Sequence, residues 1–311
     1  MRKIPVGATI AQAYRFAFQD FFRILGVMWP SMLLMWVPSI VMRPQMMALS
    51  TQMAAQDFSG FRNLWPFFVV FYVLAFILML MQVIGIAQIA LDQRKGPVWF
   101  YFWLGRPVWR LAGSVLLLIV AAIIGWILVM LADALLAFLM GLLGRLSGGG
   151  IPAAVLGFLA IVAMLVPPLA FFYCVVRLTF LLVPVVAAEE KGFALGRSWI
   201  LGLRNFWRMF GILLATLGPF ILLELALVFG FMFRGLPFPP AHASAAQKAA
   251  FQAAMNARTL EMMNAMNHYW YITYPLTIAV MVVFYGLCTG AQCFAYRALI
   301  EPEASAPVAA D

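Results

Sequence analysis

The sequence predicts an all-α polytopic membrane protein with six transmembrane helices, built as three repeated hairpins that are each preceded by an amphipathic interfacial helix. Composition is the first observation behind this: 66% of the residues are hydrophobic, 10% are charged and the mean hydropathy is +1.00. A soluble domain cannot hide so much apolar surface, whereas lipid accepts it if each segment closes its own backbone hydrogen bonds. The second is six apolar segments, each at or above the roughly 20 residues that cross the hydrocarbon. The third is a short pattern that recurs three times, always ahead of an apolar span: Phe21-Phe22-Arg23-Ile24-Leu25-Gly26, Val108-Trp109-Arg110-Leu111-Ala112-Gly113 and Phe206-Trp207-Arg208-Met209-Phe210-Gly211.

The spans are expected at about 24–42, 66–91, 111–140, 153–186, 209–233 and 270–297. The third and fourth exceed what a vertical crossing needs, which predicts tilt or protrusion for the third and a bend at Pro167-Pro168 for the fourth. All lie in one integral membrane domain, residues 1–298, with repeats at about 8–91, 97–186 and 193–298 and a disordered tail at 299–311.

Ahead of the first span, Ile10, Tyr14, Ala17, Phe18, Phe21 and Leu25 form an apolar stripe opposite Gln12, Arg15, Gln19 and Arg23. Thr9 and Gln12 have capping-box spacing. Such a helix suits the headgroup layer, with Arg toward lipid phosphate. The design recurs ahead of the fifth span, where Tyr14 aligns with Trp199, Asp20 with Asn205 and Gly26 with Gly211. The middle copy is more diverged: Trp99 to Trp103 and Trp109 form an aromatic belt, and Pro107 breaks or restarts the helix. Units that repeat in this way bury their faces against one another. Residues 45–58 and 243–268, rich in Ala, Gln and Met, are expected to form helices on the opposite surface, the second after the run Pro237, Pro239, Pro240. Gly148-Gly149-Gly150 reads as a tight hairpin turn.

Charge sets the orientation. Arg2, Lys3, Arg15 and Arg23 precede the first span; Arg94, Lys95, Arg106 and Arg110 lie between the second and third; Lys191, Arg197, Arg204 and Arg208 lie between the fourth and fifth. The other loops are poorer in Lys and Arg, so the positive-inside rule puts both termini in the cytoplasm. A net charge of +9 then points to anionic lipid headgroups and not to nucleic acid. More than twenty residues ahead of the first span, and Met28, Trp29, Trp36 and Pro38 interrupting any small-residue cleavage site, argue against a cleaved signal peptide. Cys174, Cys288 and Cys293 imply no disulfide framework.

Ionisable residues inside spans are the candidates for chemistry. Glu224 lies about 22 Å along the fifth span at 1.5 Å per residue, where it would serve as a protonatable site or cation ligand, or as a neutral Glu bonded to a neighbouring helix. Asp133, roughly 33 Å beyond the start of its span, is expected at the outer interface. Arg177 sits near the end of the fourth span, placed to reach lipid phosphate or a neighbouring helix. With Arg23, Arg110 and Arg208 it completes the expected lipid-headgroup and interface set. Met262, Met266 and His268, with Met46, Met47 and Met53, raise soft-metal binding, but Met is abundant along the whole chain, so no metal and no cofactor is expected. The two histidines, His242 and His268, exclude an HExxH site, and no GxSxG elbow, Walker A loop or dinucleotide fingerprint is present, so no catalytic residue is assigned and a non-enzyme is expected.

Arg177-Leu178-Thr179-Phe180, Pro184, Glu189-Glu190-Lys191-Gly192, Ala194-Leu195-Gly196-Arg197-Ser198 and Asn205-Phe206-Trp207-Arg208 together resemble a family of bacterial six-span membrane domains. That family includes the membrane domain of glycerophosphoryl diester phosphodiesterases and stand-alone relatives of unknown role. The resemblance implies a fold and an inner-membrane setting. It does not imply hydrolysis, since little chain follows the sixth span. The expectation is therefore a multi-pass, non-catalytic inner-membrane protein. It would organise or sense membrane lipid, or a partner protein or second copy, through its Arg-bearing helices. The alternative is a small transporter or channel with a path past Glu224.

Overall fold

The computed structural model describes residues 3–300 apart from 43, 47, 50–58, 95, 97–98, 147–152, 189–191, 233–241 and 243. The glycine turn at 148–150, the proline run, most of the 45–58 loop with Met47 and Met53, and the tail from 301 lie outside them. The described residues are almost entirely helical. In order come α1 (Val6–Gln19), α2 (Phe21–Val41), α3 (Ser59–Ala90), α4 (Arg106–Leu146), α5 (Ala153–Thr179), α6 (Leu182–Ala188), α7 (Ala194–Leu201), α8 (Phe206–Met232), α9 (Ala245–His268) and α10 (Trp270–Ile300). Six stretches are long and apolar enough to cross a membrane, in α2, α3, α4, α5–α6, α8 and α10. The chain is thus an all-helical multi-pass membrane protein.

One local expectation is overturned at the start of α1. Pro5, in extended backbone, is the N-cap of α1, so Thr9 lies inside the helix and its hydroxyl donates to the Pro5 carbonyl at 2.9 Å. No capping box starts this helix; one starts α9 instead, where Ser244 and Gln247 bond reciprocally. In the fourth span Pro167 and Pro168 both lie within α5, and a break in the helix falls at Phe180-Leu181, between α5 and α6. The C-terminal helix also continues to Ile300, past the expected start of the tail.

Helix α1 does not lie free in a headgroup layer. Thr9, Ala13, Phe16 and Ala17 are buried, and α1 packs along α10 and against α8. The buried stripe is rotated from the expected one, leaving Phe18 exposed. Small residues allow the close approach, as they do generally between helices in lipid. A Cβ at Gly286 would come within 2.8 Å of Ile24, and one at Gly290 within 2.8 Å of Phe16. Phe16 also meets Phe294 edge to face at 5.9 Å. A single residue, Asp20, separates α1 from α2, so α1 leads directly into the first span.

The core is concentrated at one end of the bundle. It is drawn from residues 4–28, 78–90, 101–112, 176–186, 194–212 and 282–296, the ends that carry most of the arginines. Away from it the helices separate: residues 221–230 of α8 are all exposed. The apolar window of α4 is only 6% buried against 44% for α10, so the rest of the chain leaves most of the α4 apolar surface uncovered. At 41 residues α4 is about 61 Å long, roughly twice the hydrocarbon thickness, which agrees with tilt or protrusion.

Replacing Gly290 with Leu should lower unfolding stability by about 1–3 kcal/mol through overpacking against Phe16. Gly141→Leu, where a Cβ meets nothing within 4 Å, should be near neutral. Thermal unfolding of the detergent-solubilised protein compares the two, and equal effects would contradict the α1–α10 packing.

Candidate functional site at the arginine-rich end

The three recurrent motifs occupy equivalent surroundings. The aromatic residue before each Arg points outward: Phe22 is 80% exposed, Trp109 55% and Trp207 77%. The residue after it points inward, with Ile24, Leu111 and Met209 each at or below 1%. Between them, each half-buried guanidinium donates to a backbone carbonyl far away in sequence. Arg23 Nη2 bonds Arg94 O at 2.8 Å, Arg110 Nη2 bonds Gly192 O at 3.1 Å and Arg208 Nη1 bonds Ile4 O at 2.6 Å. Each acceptor lies in a non-helical segment leading into another motif. The first Arg caps the lead-in to the second motif, the second caps the lead-in to the third, and the third caps the lead-in to the first.

Asn205 completes the last of these contacts. Its Oδ1 accepts the Ile4 amide at 3.1 Å, so both polar groups of a residue that is fully buried are satisfied by one turn of the chain. Arg204, just before it, has φ +64°, the left-handed conformation that swings the turn back. The aligned Asp20 acts differently, accepting Arg23 Nη1 at 2.7 Å. Nothing would crowd a Cβ at Gly113 or Gly211, so packing does not explain the motif glycine there.

Arg177 is 3% exposed and sits inside the protein, not at its lipid-facing surface. Its guanidinium lies over the Trp199 ring at 3.6 Å, and it donates to Trp199 O at 2.8 Å and Tyr173 Oη at 2.9 Å. Ser198 Oγ donates in turn to the carbonyls of Arg177 and Leu178 at 3.2 and 3.0 Å. A planar cation that stacks and donates at once is arginine chemistry, and here it fastens α5 to α7.

Two adjoining clefts open at the same end, each about 450 Å³ or slightly less, sharing Gln88, Gln93 and Trp103. One adds Arg94, the other Arg106 and Arg110. Tyr101 forms the wall between Arg94 and α3: it is 1% exposed, its hydroxyl reaches Gln88 Oε1 at 3.4 Å, and Arg94 lies over its ring at 4.7 Å. Burial pushes the Tyr101 phenol up to about 12, against the opposing pull of Arg94, so it remains a neutral donor at physiological pH. The polar role of Gln88 and Gln93 was not anticipated from the sequence. The recurring Lys95-Gly96 and Lys191-Gly192 pairs carry a signal for these junctions, since Gly96 and Gly192 take φ of +95° and +100°.

Glu224 and Asp133 stand apart from this end and from each other. Glu224 is exposed on the outer part of α8 and lies outside both clefts. Asp133 is half-buried in α4, and its Oδ1 is shielded with no hydrogen-bond partner among the described residues. Cys174, Cys288 and Cys293 are free thiols. Among the described residues no cluster of His, Cys, Asp and Glu is arranged to hold a metal ion. No protein-family model, curated protein or solved structure matches this chain, so the family resemblance rests on the motif residues alone.

A double-mutant cycle on Arg177→Met and Trp199→Leu should give a coupling of about 1–2 kcal/mol in unfolding stability, as expected for a desolvated cation over an indole. Strict additivity would mean that the stack contributes nothing.

Proposed function

We propose that this chain is a non-catalytic protein of the bacterial inner membrane that organises or senses anionic lipid, or a partner protein, through an arginine-rich end held at the cytoplasmic leaflet. The observation that carries this reading is the outward exposure of the motif aromatics Phe22, Trp109 and Trp207, each next to an arginine at the packed end of the bundle. The amphipathic rings of Trp109 and Trp207 favour the headgroup level of a bilayer, Phe22 adds apolar surface beside them, and nearby arginines favour its anionic face. Phe18, Trp99, Phe100 and Phe193, all exposed at the same end, widen the belt.

The platform is best understood as three hairpin units closed in a ring. Each unit's Arg holds the segment entering the next unit, and Arg208 with Asn205 returns to the first. A rigid end of this kind presents a fixed surface to the leaflet, while the separated outer parts of the spans follow the lipid around them. The resemblance of residues 177–211 to six-span membrane domains supports the same setting. The transport alternative gains less support, because it needs Glu224 beside an interior path and Glu224 lies in a stretch of α8 whose residues are all exposed.

Phospholipid that copurifies with the full chain in mild detergent should be enriched in anionic species relative to the membrane extract it came from. Joint replacement of Phe22, Trp109 and Trp207 with Ala should reduce that bound lipid severalfold. Mass spectrometry of the extracted lipid measures both, and an unenriched lipid profile would contradict the proposal.

A further inference from the structure

Along the arginine-rich end the element ahead of each motif is a helix in two places, α1 and α7, and an extended segment in one. Residues 99–105 stay unwound, and Pro107 in the first turn of α4 favours starting a helix there while preventing one from arriving through it. The twin clefts occupy the space that this segment leaves, bounded by the end of α3, the start of α4 and α6.

From this geometry we infer that the clefts bind the phosphate group of an anionic phospholipid, with Arg94 and Arg106 as the charged ligands and Gln88 and Gln93 as neutral donors. The inference rests on the leaflet orientation proposed above. Three cationic side chains, Arg94, Arg106 and Arg110, line the two clefts together with both glutamines. Among the described residues no Asp or Glu lines either one, and Asp92, close by in sequence, is engaged by Arg297 at 2.8 Å. The Arg106 side chain is exposed at the mouth. Arg94 keeps its edge donors because Tyr101 takes only its face. Phe100 and Trp103, both substantially exposed on the same segment, supply the apolar surface that the glycerol and upper acyl carbons of a bound lipid would cover. A phosphate diester satisfies all of these at once: charge for the guanidiniums, acceptor oxygens for the amides and hydrocarbon for the rings.

The test is native mass spectrometry of the delipidated full chain in detergent, titrated with phosphatidylglycerol, phosphatidylcholine or inorganic phosphate. The wild-type protein should prefer phosphatidylglycerol. The Arg94→Gln, Arg106→Gln double variant should bind it about thirtyfold more weakly, at roughly 1 kcal/mol per cation near the headgroups. Arg106→Gln alone changes only an exposed side chain and should lose severalfold. Arg145→Gln, at the far end of α4, should bind as the wild type does. Undiminished phosphatidylglycerol binding by the double variant would overturn this site while leaving the leaflet reading intact. No preference for phosphatidylglycerol over phosphatidylcholine in the wild type would overturn both. Arg94- and Arg106-dependent binding of inorganic phosphate in place of the lipid would overturn the lipid assignment in favour of a soluble anion.

Discussion

Backbone that leaves a helix at the edge of a bilayer has carbonyls and amides to satisfy where water is scarce, and the rest of this fold depends on how that is done. The observed answer is one guanidinium per junction, donated from another part of the chain. Arg23, Arg110 and Arg208 each bond the carbonyl of a segment they are not covalently near. Because the segment held at Ile4 is the N-terminal one and its holder is Arg208, the last of these bonds joins the start of the chain to its final third. The α1–α10 contact, dense with Ala and Gly, lies beside that closure and is the closest helix pairing among the described residues.

Concentrating the core at one end has a consequence for the membrane. Helices that pack tightly at the arginine-rich end separate beyond it, and the apolar windows of α4 and of α5–α6 are left almost wholly uncovered by the rest of the chain. An apolar cavity of about 430 Å³ between α2, α3 and α10, lined by Met32, Met35, Met79 and Met281 among others, belongs to this looser region. Flexible methionine side chains suit a wall whose neighbour is fluid. Rigidity and cationic charge thus coincide at one end, and that coincidence makes this end the natural candidate for recognition.

Much of the architecture was legible in the sequence because its signals are local and strong. Six apolar runs gave six spans, and the Arg-centred motif marked where three of them begin. The helix expected at 243–268 is present as α9. What failed was rotation and partnership. Periodicity placed an apolar stripe on α1 but could not decide between lipid and α10, and the choice was made by Gly286 and Gly290, more than 250 residues away. The arginines were read as lipid ligands because nothing local reveals that a carbonyl from another loop lies within 3.1 Å of each. Arg177 was singled out correctly as unusual, yet its stack on Trp199 depends on α7 folding back across α5. Gln88 and Gln93 drew no notice, since a glutamine near a span end becomes informative only once Arg94 and Arg106 stand around it.

The closure by arginines is tested most directly by hydrogen exchange on the full chain, comparing Arg23→Gln with Arg208→Gln. Each guanidinium caps a remote segment, so Arg208→Gln should speed exchange in residues 3–9 and leave 88–94 unchanged, while Arg23→Gln should do the reverse. Exchange that rises only around the substituted residue, with both remote segments unaffected, would contradict the account.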